Sequence, residues 1–436
     1  MKKVLIITYY WPPGSGPGVQ RFLKICKYLR EFNWEPLILT VKNGSYPSID
    51  ESLLNDIPEK VKVFRTKTIE PFSIFNKITR EKGKSLPVGY MPGKVKQGMI
   101  ERLSFYIRAN FFIPDARKGW NRFAYKEAKC IIKKEKINAI ITTGPPHSTH
   151  LVGLKLKKQY KLPWIIDFRD PWSTIYYNSL LPRTKRAIEK DLNLEKKVLL
   201  NADLLTVVSH GMKEEFVDKV KDIEIIYNGF DDEDIPSEFI ETKSKFSLCY
   251  IGNFKANQNI PVIWQTISEL KIELNDFKDN FRLNLTGNID SSVKNEIQKY
   301  HIEDMVEMNP FIPHKEATKQ MASSNLLLFI VPKVFGNLKI ITGKLFEYIA
   351  VRSPILAIGP LNGDAAKILK DVNRDNMHYY DDLERIKNAL MNHYNNWRNG
   401  NRKLIKHSEL NLNKFSRKGL TNILANQLDR LTNENN

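Results

Sequence analysis

Four short segments place chemically capable residues at the ends of apolar runs. The first is Trp11-Pro-Pro-Gly-Ser-Gly-Pro-Gly18-Val-Gln-Arg21, with Gly14, Gly16 and Gly18 between a strand-like run and a helical one. Glycines there let backbone approach a ligand, and the N–H groups of a helix start favour phosphate or carboxylate. The segment is neither a dinucleotide fingerprint nor a P-loop. Thr40-Val41-Lys42 stands where an acidic residue would close the former, and the Gly-Lys-Ser/Thr ending of the latter is missing. The second segment, Thr142-Thr-Gly-Pro-Pro-His147-Ser-Thr-His150, sets two histidines at a helix start, with Ser148 or Thr149 as the expected cap. A neutral His147 at that positive end suits gripping a sugar hydroxyl or moving a proton.

The third segment is Trp164-Ile-Ile-Asp167-Phe-Arg169-Asp170-Pro-Trp172. Asp167, Arg169 and Asp170 at a strand's carboxyl end can hold a hydroxylated acceptor, or Arg169 can close a salt bridge that only stabilises the loop. The fourth is Lys339-Ile-Ile-Thr342-Gly343-Lys344-Leu-Phe-Glu347-Tyr348. Thr342 and Gly343 open a helix whose dipole converges with the Lys344 ammonium on an anion such as a diphosphate. Glu347, one turn on, can accept hydrogen bonds from two vicinal hydroxyls, as ribose presents. A solvated Lys–Glu pair is the structural alternative. A further acidic run, Asp231-Asp-Glu-Asp234, contains D-x-D, but charged residues and Pro236 surround it and no metal is expected there.

Short β-branched runs alternating with amphipathic segments must position these loops, and that alternation predicts parallel sheets with helical crossovers. Strands are expected at Val4–Tyr9, Pro36–Val41, Val61–Phe64, Ala139–Thr143, Trp164–Asp167, Leu204–Val208 and Glu224–Tyr227. A second series covers Leu248–Gly252, Arg282–Leu285, Asn325–Val331 and Ile355–Ile358. Between the series, Asp231 to Lys245 reads as a linker. The expected domains are 1–235 and 236–405, followed by a C-terminal amphipathic helix within 406–436. Ligands of open parallel sheets bind at the carboxyl ends of the strands, so a cleft between two such domains is the expected site.

Composition narrows the class. In 436 residues, 42% hydrophobic and 27% charged, disorder and disulfide scaffolds are excluded. Cys26, Cys130 and Cys249 stand far apart, which suggests neither zinc nor disulfides and fits a reducing compartment. The apolar run Val4–Ile7 stops at Thr8, too short for a secretory signal, and Leu326–Val331 is far too short to span a bilayer. Sixty-eight Lys+Arg against 49 Asp+Glu leave a net +19. Part of this excess lies between Lys77 and Arg108, where eight Lys/Arg face Glu81 and Glu101, a net of +6 interleaved with Met, Tyr, Phe and Ile. Such a segment suits an anionic bilayer surface. No nucleic-acid recognition module is visible.

Together these residues resemble the family 4 glycosyltransferases of the GT-B fold, retaining nucleotide-sugar-dependent enzymes of bacterial polysaccharide assembly. The resemblance rests on Pro17-Gly18-Val-Gln-Arg21, Tyr227-Asn-Gly-Phe-Asp231, Tyr250-Ile-Gly-Asn-Phe254, Gly343-Lys344-Leu-Phe-Glu347-Tyr348 and Pro354-Ile-Leu-Ala, and it runs through the whole chain. It implies an α/β architecture of two Rossmann-like domains facing a cleft, with the C-terminal helix crossing back to the first. The second domain would bind a UDP- or GDP-sugar, with Glu347 on the ribose, Thr342, Gly343 and Lys344 at the diphosphate and Phe311 and Ile312 at the base. Gly252, Asn253 and Lys255 fall near the diphosphate, and Gly16 and Gly18 face the donor from the first domain. His147 would match the family histidine that touches the donor sugar, and Asp167, Arg169 and Asp170 lie on the acceptor side. Lys339 replaces a second family glutamate.

The expected reaction is transfer to a glycan or lipid-linked acceptor with retention, in the cytoplasm and at the inner face of the cytoplasmic membrane. His147, Lys344 and Glu347 would be its catalytic residues. Lysines and helix N-termini would neutralise the leaving diphosphate, so neither cofactor nor metal is expected. Two alternatives stand beside it: a non-catalytic nucleotide-sugar or glycan-binding partner, and a nucleotide-sugar epimerase or hydrolase on the same fold.

Overall fold

The computed structural model describes residues 1–70, 99–236, 244–351, 353–401 and 412–434. Strands β1 (Lys2–Ile7), β2 (Trp34–Val41), β3 (Lys62–Thr66), β4 (Ala139–Gly144), β5 (Trp164–Phe168), β6 (Leu204–Val207) and β7 (Ile223–Ile225) form a parallel sheet ordered β3-β2-β1-β4-β5-β6-β7. Strands β8 (Phe246–Ile251), β9 (Phe281–Thr286), β10 (Val306–Asn309), β11 (Leu326–Ile330), β12 (Ile355–Ile358) and β13 (Met377–His378) form a second, ordered β10-β9-β8-β11-β12-β13. The central strands are buried along their length, as in Val4–Ile7 and Leu326–Ile330. That burial accounts for their unbroken apolar character. Edge strand β10 is mostly exposed and carries no such run, so it has no clear sequence signal.

Helices α1 (Pro17–Leu29), α2 (Met99–Phe111), α3 (Asn121–Glu135), α4 (Ser148–Tyr160), α5 (Lys185–Asn201) and α6 (His210–Phe216) accompany the first sheet. Helices α7 (Pro261–Glu273), α8 (Phe277–Asn280), α9 (Ser291–Lys299), α10 (His314–Ser323), α11 (Gly343–Ala350), α12 (Asp364–Asp371) and α13 (Leu383–Arg398) accompany the second. Starts are set by local chemistry. Pro17 occupies the first turn of α1, where its missing N–H costs nothing. Thr184, Ser209, Asp290 and Asp382 accept backbone N–H bonds at the heads of α5, α6, α9 and α13.

The chain divides into a first unit, Met1–Asn228 with Arg417–Asn436, and a second, Gly229–Ser416. The expected boundaries at 235 and 405 are corrected accordingly. Phe230 N–H donates to the Phe415 carbonyl at 3.1 Å and Phe230 bridges Ser416, which ties the start of the second unit to its end. Asp231 accepts from Glu233 N–H and closes a turn, so residues 231–236 are structured and are not linker. The last helix, α14 (Arg417–Asn433), packs on α1, with Leu420, Leu424, Leu428 and Leu431 in the first unit's core. In both sheets the strand order reverses once, between β1 and β4 and between β8 and β11. Connections leave in opposite directions at such a point and open a crevice at the strands' carboxyl ends.

Candidate functional site

In the first unit, three of the four sequence segments converge at the β1/β4 reversal. Gly18, in the first turn of α1, has the Arg169 guanidinium against it, since a Cβ built there would lie 1.1 Å from Nη1. Arg169 Nε donates to the Gly144 carbonyl at 3.2 Å, and Nη2 donates to the Pro145 carbonyl. Burial pushes the Arg169 pKa down, opposed by Asp167 and Asp170. Gly16 caps α1 at φ 117, a conformation glycine adopts without strain. A cation and a helix start therefore share one spot.

Asp167 is not the open acceptor ligand the sequence suggested. Arg21 Nη2 and Thr206 Oγ1 donate to its Oδ1, both at 2.8 Å, and Thr143 Oγ1 donates to Oδ2 at 2.7 Å. The ion pair at this carboxylate is Arg21–Asp167, with both side chains 2% exposed, and not the alternative salt bridge from Arg169. Asp170 is exposed.

His147 precedes α4 and is 8% exposed, its ring stacked on Trp172 at 5.1 Å with an interplanar angle of 14°. Neither ring nitrogen meets a partner in hydrogen-bonding geometry, although the Pro171 carbonyl lies close enough to favour a proton there. Burial first, then His150 and Arg169, hold its pKa well below the usual histidine value. His150 Nδ1 lies 2.8 Å from Thr142 Oγ1, and burial with Arg169 pushes its pKa down to about 3. Both rings are neutral at ordinary pH. A residue not singled out from sequence, Asp115, holds the head of α4: Ser148 N–H and Oγ donate to its carboxylate at 2.7 and 2.8 Å. Ser148 is therefore held by a cap from outside the segment.

In the second unit the β8/β11 reversal carries the fourth segment. β8 is followed by Gly252, whose φ of 112 demands glycine, and Lys333 N–H donates to the Asn257 carbonyl at 2.8 Å, joining the loops after β8 and β11. Gln258 orders the first of these loops, accepting from Lys255 N–H and donating to the Ile330 carbonyl at 3.0 Å. Lys344, in the first turn of α11, has its ammonium 3.4 Å from the Tyr250 ring centroid and beside Gly252. Among the described residues it has no hydrogen-bond or ion-pair partner. Burial pushes its pKa down to about 7, with Glu347 raising it and Lys255 lowering it further.

Glu347, one turn along, is bound by His314: Nε2 and Oε1 are 2.7 Å apart. Thr342 gives α11 its backbone cap, its carbonyl accepting from Leu345 N–H at 3.0 Å, and Gly343 is the first helical residue. Phe311 is 66% exposed and Ile312 half-buried, immediately before Pro313 at the head of α10. Asn253 and Lys255 are exposed on the loop after β8, and Lys339 lies in the turn Asn337–Lys339. The structure thus brings Lys344, Glu347, Gly252 and Tyr250 together. His314 was missed because a lone histidine after Phe311-Ile312-Pro313 carries no spacing signal.

Among the described residues no group of acidic, histidine and cysteine side chains is arranged to hold a metal, and no helix is long and apolar enough to cross a membrane. Of the basic segment Lys77–Arg108, residues 77–98 lie outside the described residues. Its end forms α2, which leaves Leu103, Tyr106, Ile107 and Phe111 exposed at helical spacing.

Two such sheets, each reversing at a loaded crevice, define an α/β chain of the GT-B class. Residues 91–234 match the family model Glycosyltransferase Family 4, and with this fold the chain is a glycosyltransferase. Among solved structures it is similar to sucrose-phosphate synthase from Thermosynechococcus elongatus, at 14% identity and TM-score 0.58, covering 100% of this chain and 97% of that one. It is also similar to S. aureus TarM, crystallised with Fondaparinux, alpha-GlcNAc-glycerol and UDP, at 10% identity and TM-score 0.58 over 99% of each chain. A Listeria monocytogenes protein described as a UDP-N-acetylglucosamine 2-epimerase is 10% identical with TM-score 0.56, covering 100% and 98%. At such identities these likenesses concern the fold. No curated protein sequence matches.

Proposed function

We propose that the chain transfers a sugar from a nucleoside diphosphate sugar, of the UDP or GDP type, to a glycan or lipid-linked acceptor. In this reading the anomeric configuration is retained and no metal is required. The observation that carries it is Lys344, a half-buried ammonium at a helix start with no carboxylate bound to it among the described residues, over Tyr250 and one turn from Glu347. A partly desolvated cation with no bound carboxylate is costly unless a ligand supplies the anion.

In the reaction the bond from the anomeric carbon to the diphosphate oxygen breaks and a bond to the acceptor oxygen forms. The acceptor proton passes to the departing diphosphate oxygen. Negative charge grows on the diphosphate, and Lys344 with the N–H groups of Gly343 and its neighbours stabilises it. Glu347 takes the ribose hydroxyls, and Arg169 with the head of α1 supplies a positive spot in the first unit. The buried pair His147 and His150 shapes that loop in the neutral state.

The acceptor chemistry points to a membrane surface in cell-surface polysaccharide assembly. Supporting this, α2 exposes Leu103, Tyr106, Ile107 and Phe111, while α5 exposes Ile188 and Leu192 beside exposed Lys185, Arg186 and Lys190. Asn110 ties the two helices, donating to the Pro182 carbonyl at 2.8 Å and accepting from Thr184 N–H at 2.7 Å. Apolar stripes flanked by basic residues suit an anionic bilayer.

The test is release of nucleoside diphosphate from a panel of UDP-, GDP- and dTDP-sugars, with and without extracted lipid acceptors. Acceptor-dependent release is expected, acceptor-independent release would indicate hydrolysis, and binding without release would indicate a non-catalytic partner. Sedimentation with anionic and neutral liposomes tests the surface: equal recovery in both supernatants would remove it.

A further inference from the structure

The acidic run Asp231–Asp234 and His314 both lie outside the roles assigned so far, and the structure brings them to Glu347. His314 is the first residue of α10, and Asp234 ends the turn that opens the second unit. His314 Nε2 is 2.7 Å from Glu347 Oε1, and on the ring's other side Nδ1 is 3.9 Å from Asp234 Oδ2. A carboxylate only accepts, so Nε2 carries the proton of the short bond. The three side chains are 22% (Asp234), 25% (His314) and 20% (Glu347) exposed, within reach of a ligand and sheltered enough for the contact to be directional.

A glutamate on a helix surface samples several rotamers, whereas one hydrogen-bonded to an imidazole has its carboxylate plane restricted. We propose that His314 is a positioning residue that fixes the Glu347 carboxylate for the vicinal hydroxyls of the donor's ribose and so makes the site selective for ribonucleotides. This rests on the reading that Glu347 takes the ribose. The histidine bond occupies one lone pair of Oε1 and sets the orientation in which the carboxylate meets two neighbouring O–H groups. Without the imidazole, both hydroxyls would have to order the carboxylate themselves, and the preference for two hydroxyls over none would shrink.

The experiment is titration calorimetry on the full chain with UDP, GDP and their 2′,3′-dideoxy counterparts. The wild type is expected to favour the ribonucleotides. His314→Ala should weaken UDP or GDP about tenfold, the loss of one charge-assisted hydrogen bond, and bring the ribo and dideoxy affinities together. His314→Gln, which presents an N–H and keeps the head of α10 polar, should recover part of both, and it serves where the alanine variant fails to fold. Glu347→Ala separates the layers. If Glu347→Ala removes ribose selectivity while His314→Ala and His314→Gln keep wild-type affinities and ratios, the positioning role is overturned and the ribose reading stands. If Glu347→Ala leaves the ribo-to-dideoxy ratio unchanged, the ribose reading itself fails and the inference with it.

Discussion

The guanidinium of Arg21 and the carboxylate of Asp167 lie 2.8 Å apart with both side chains 2% exposed, joining α1 to β5 inside the first unit. Arg21 Nη1 also donates to the Tyr227 carbonyl at 2.5 Å, and the threonines 143 and 206 complete the carboxylate's shell. A buried pair loses far more when one partner is removed than when both are, because the remaining charge is left in low dielectric. Asp167→Asn should therefore cost about 3–5 kcal/mol of stability. Chemical denaturation read by circular dichroism checks this. A variant that is inactive yet melts at the wild-type temperature would return Asp167 to the acceptor side.

Gly18 is required by its neighbour. A methyl there would meet Arg169 Nη1 at 1.1 Å, and the guanidinium would have to leave the Gly144 and Pro145 carbonyls to make room. Gly18→Ala is expected to cost about 1–3 kcal/mol, the range for overpacking. The double variant Gly18→Ala with Arg169→Ala should lose less than the sum of the single ones, because the clash vanishes with the side chain. Additive losses in a double-mutant cycle would show that the two residues act independently.

The alternation of apolar runs and amphipathic segments made both sheets legible, because parallel strands buried on two faces must be continuously apolar, as at Val4–Ile7 and Leu326–Ile330. Val306–Asn309 and Met377–His378 were not legible, one an exposed edge and the other two residues long. Gly343, Lys344 and Glu347 could be read locally, since one helical turn brings them together. His314 and Asp115 could not, because their partners Glu347 and Ser148 lie 33 residues away in each case. The acidic run after Asn228 misled because composition alone does not reveal that Phe230 pairs with Phe415. Asp167 misled for a related reason: a carboxylate at a strand end reads as a ligand until its buried arginine is located.

The neutral histidine pair makes the first unit acid-sensitive. His150 has its pKa pushed down to about 3 in the folded chain, against 6.5 when unfolded, and it is fully buried. Between those values the unfolded chain binds the extra proton, so stability is present above pH 6.5 and is lost as pH falls toward 3. The slope is at most about 1.4 kcal/mol per pH unit for each such group. His150→Leu should flatten the acid limb of a stability–pH curve by up to that amount, whatever it costs at neutral pH. An unchanged slope would mean that the ring is protonated in the folded state.

Lys344 links donor binding to protons in the opposite region of pH. Its folded pKa near 7 lies below the unfolded value of 10.5, so across that interval the unfolded chain holds the proton and the ligand-free protein gains stability as pH rises. A diphosphate reverses the balance, because an anion beside the ammonium favours the charged form. Binding of UDP or GDP should therefore be tightest below pH 7 and weaken by up to about tenfold per pH unit above it, with uptake of close to one proton at pH 8. Calorimetry in buffers of different ionisation enthalpy counts that proton directly. Lys344→Ala should abolish the uptake, lower kcat by about 10²–10³ as loss of a group on the developing charge does, and leave the melting temperature at or above the wild-type value at neutral pH. A variant that keeps its kcat, or that loses activity only in step with unfolding, would place the diphosphate elsewhere.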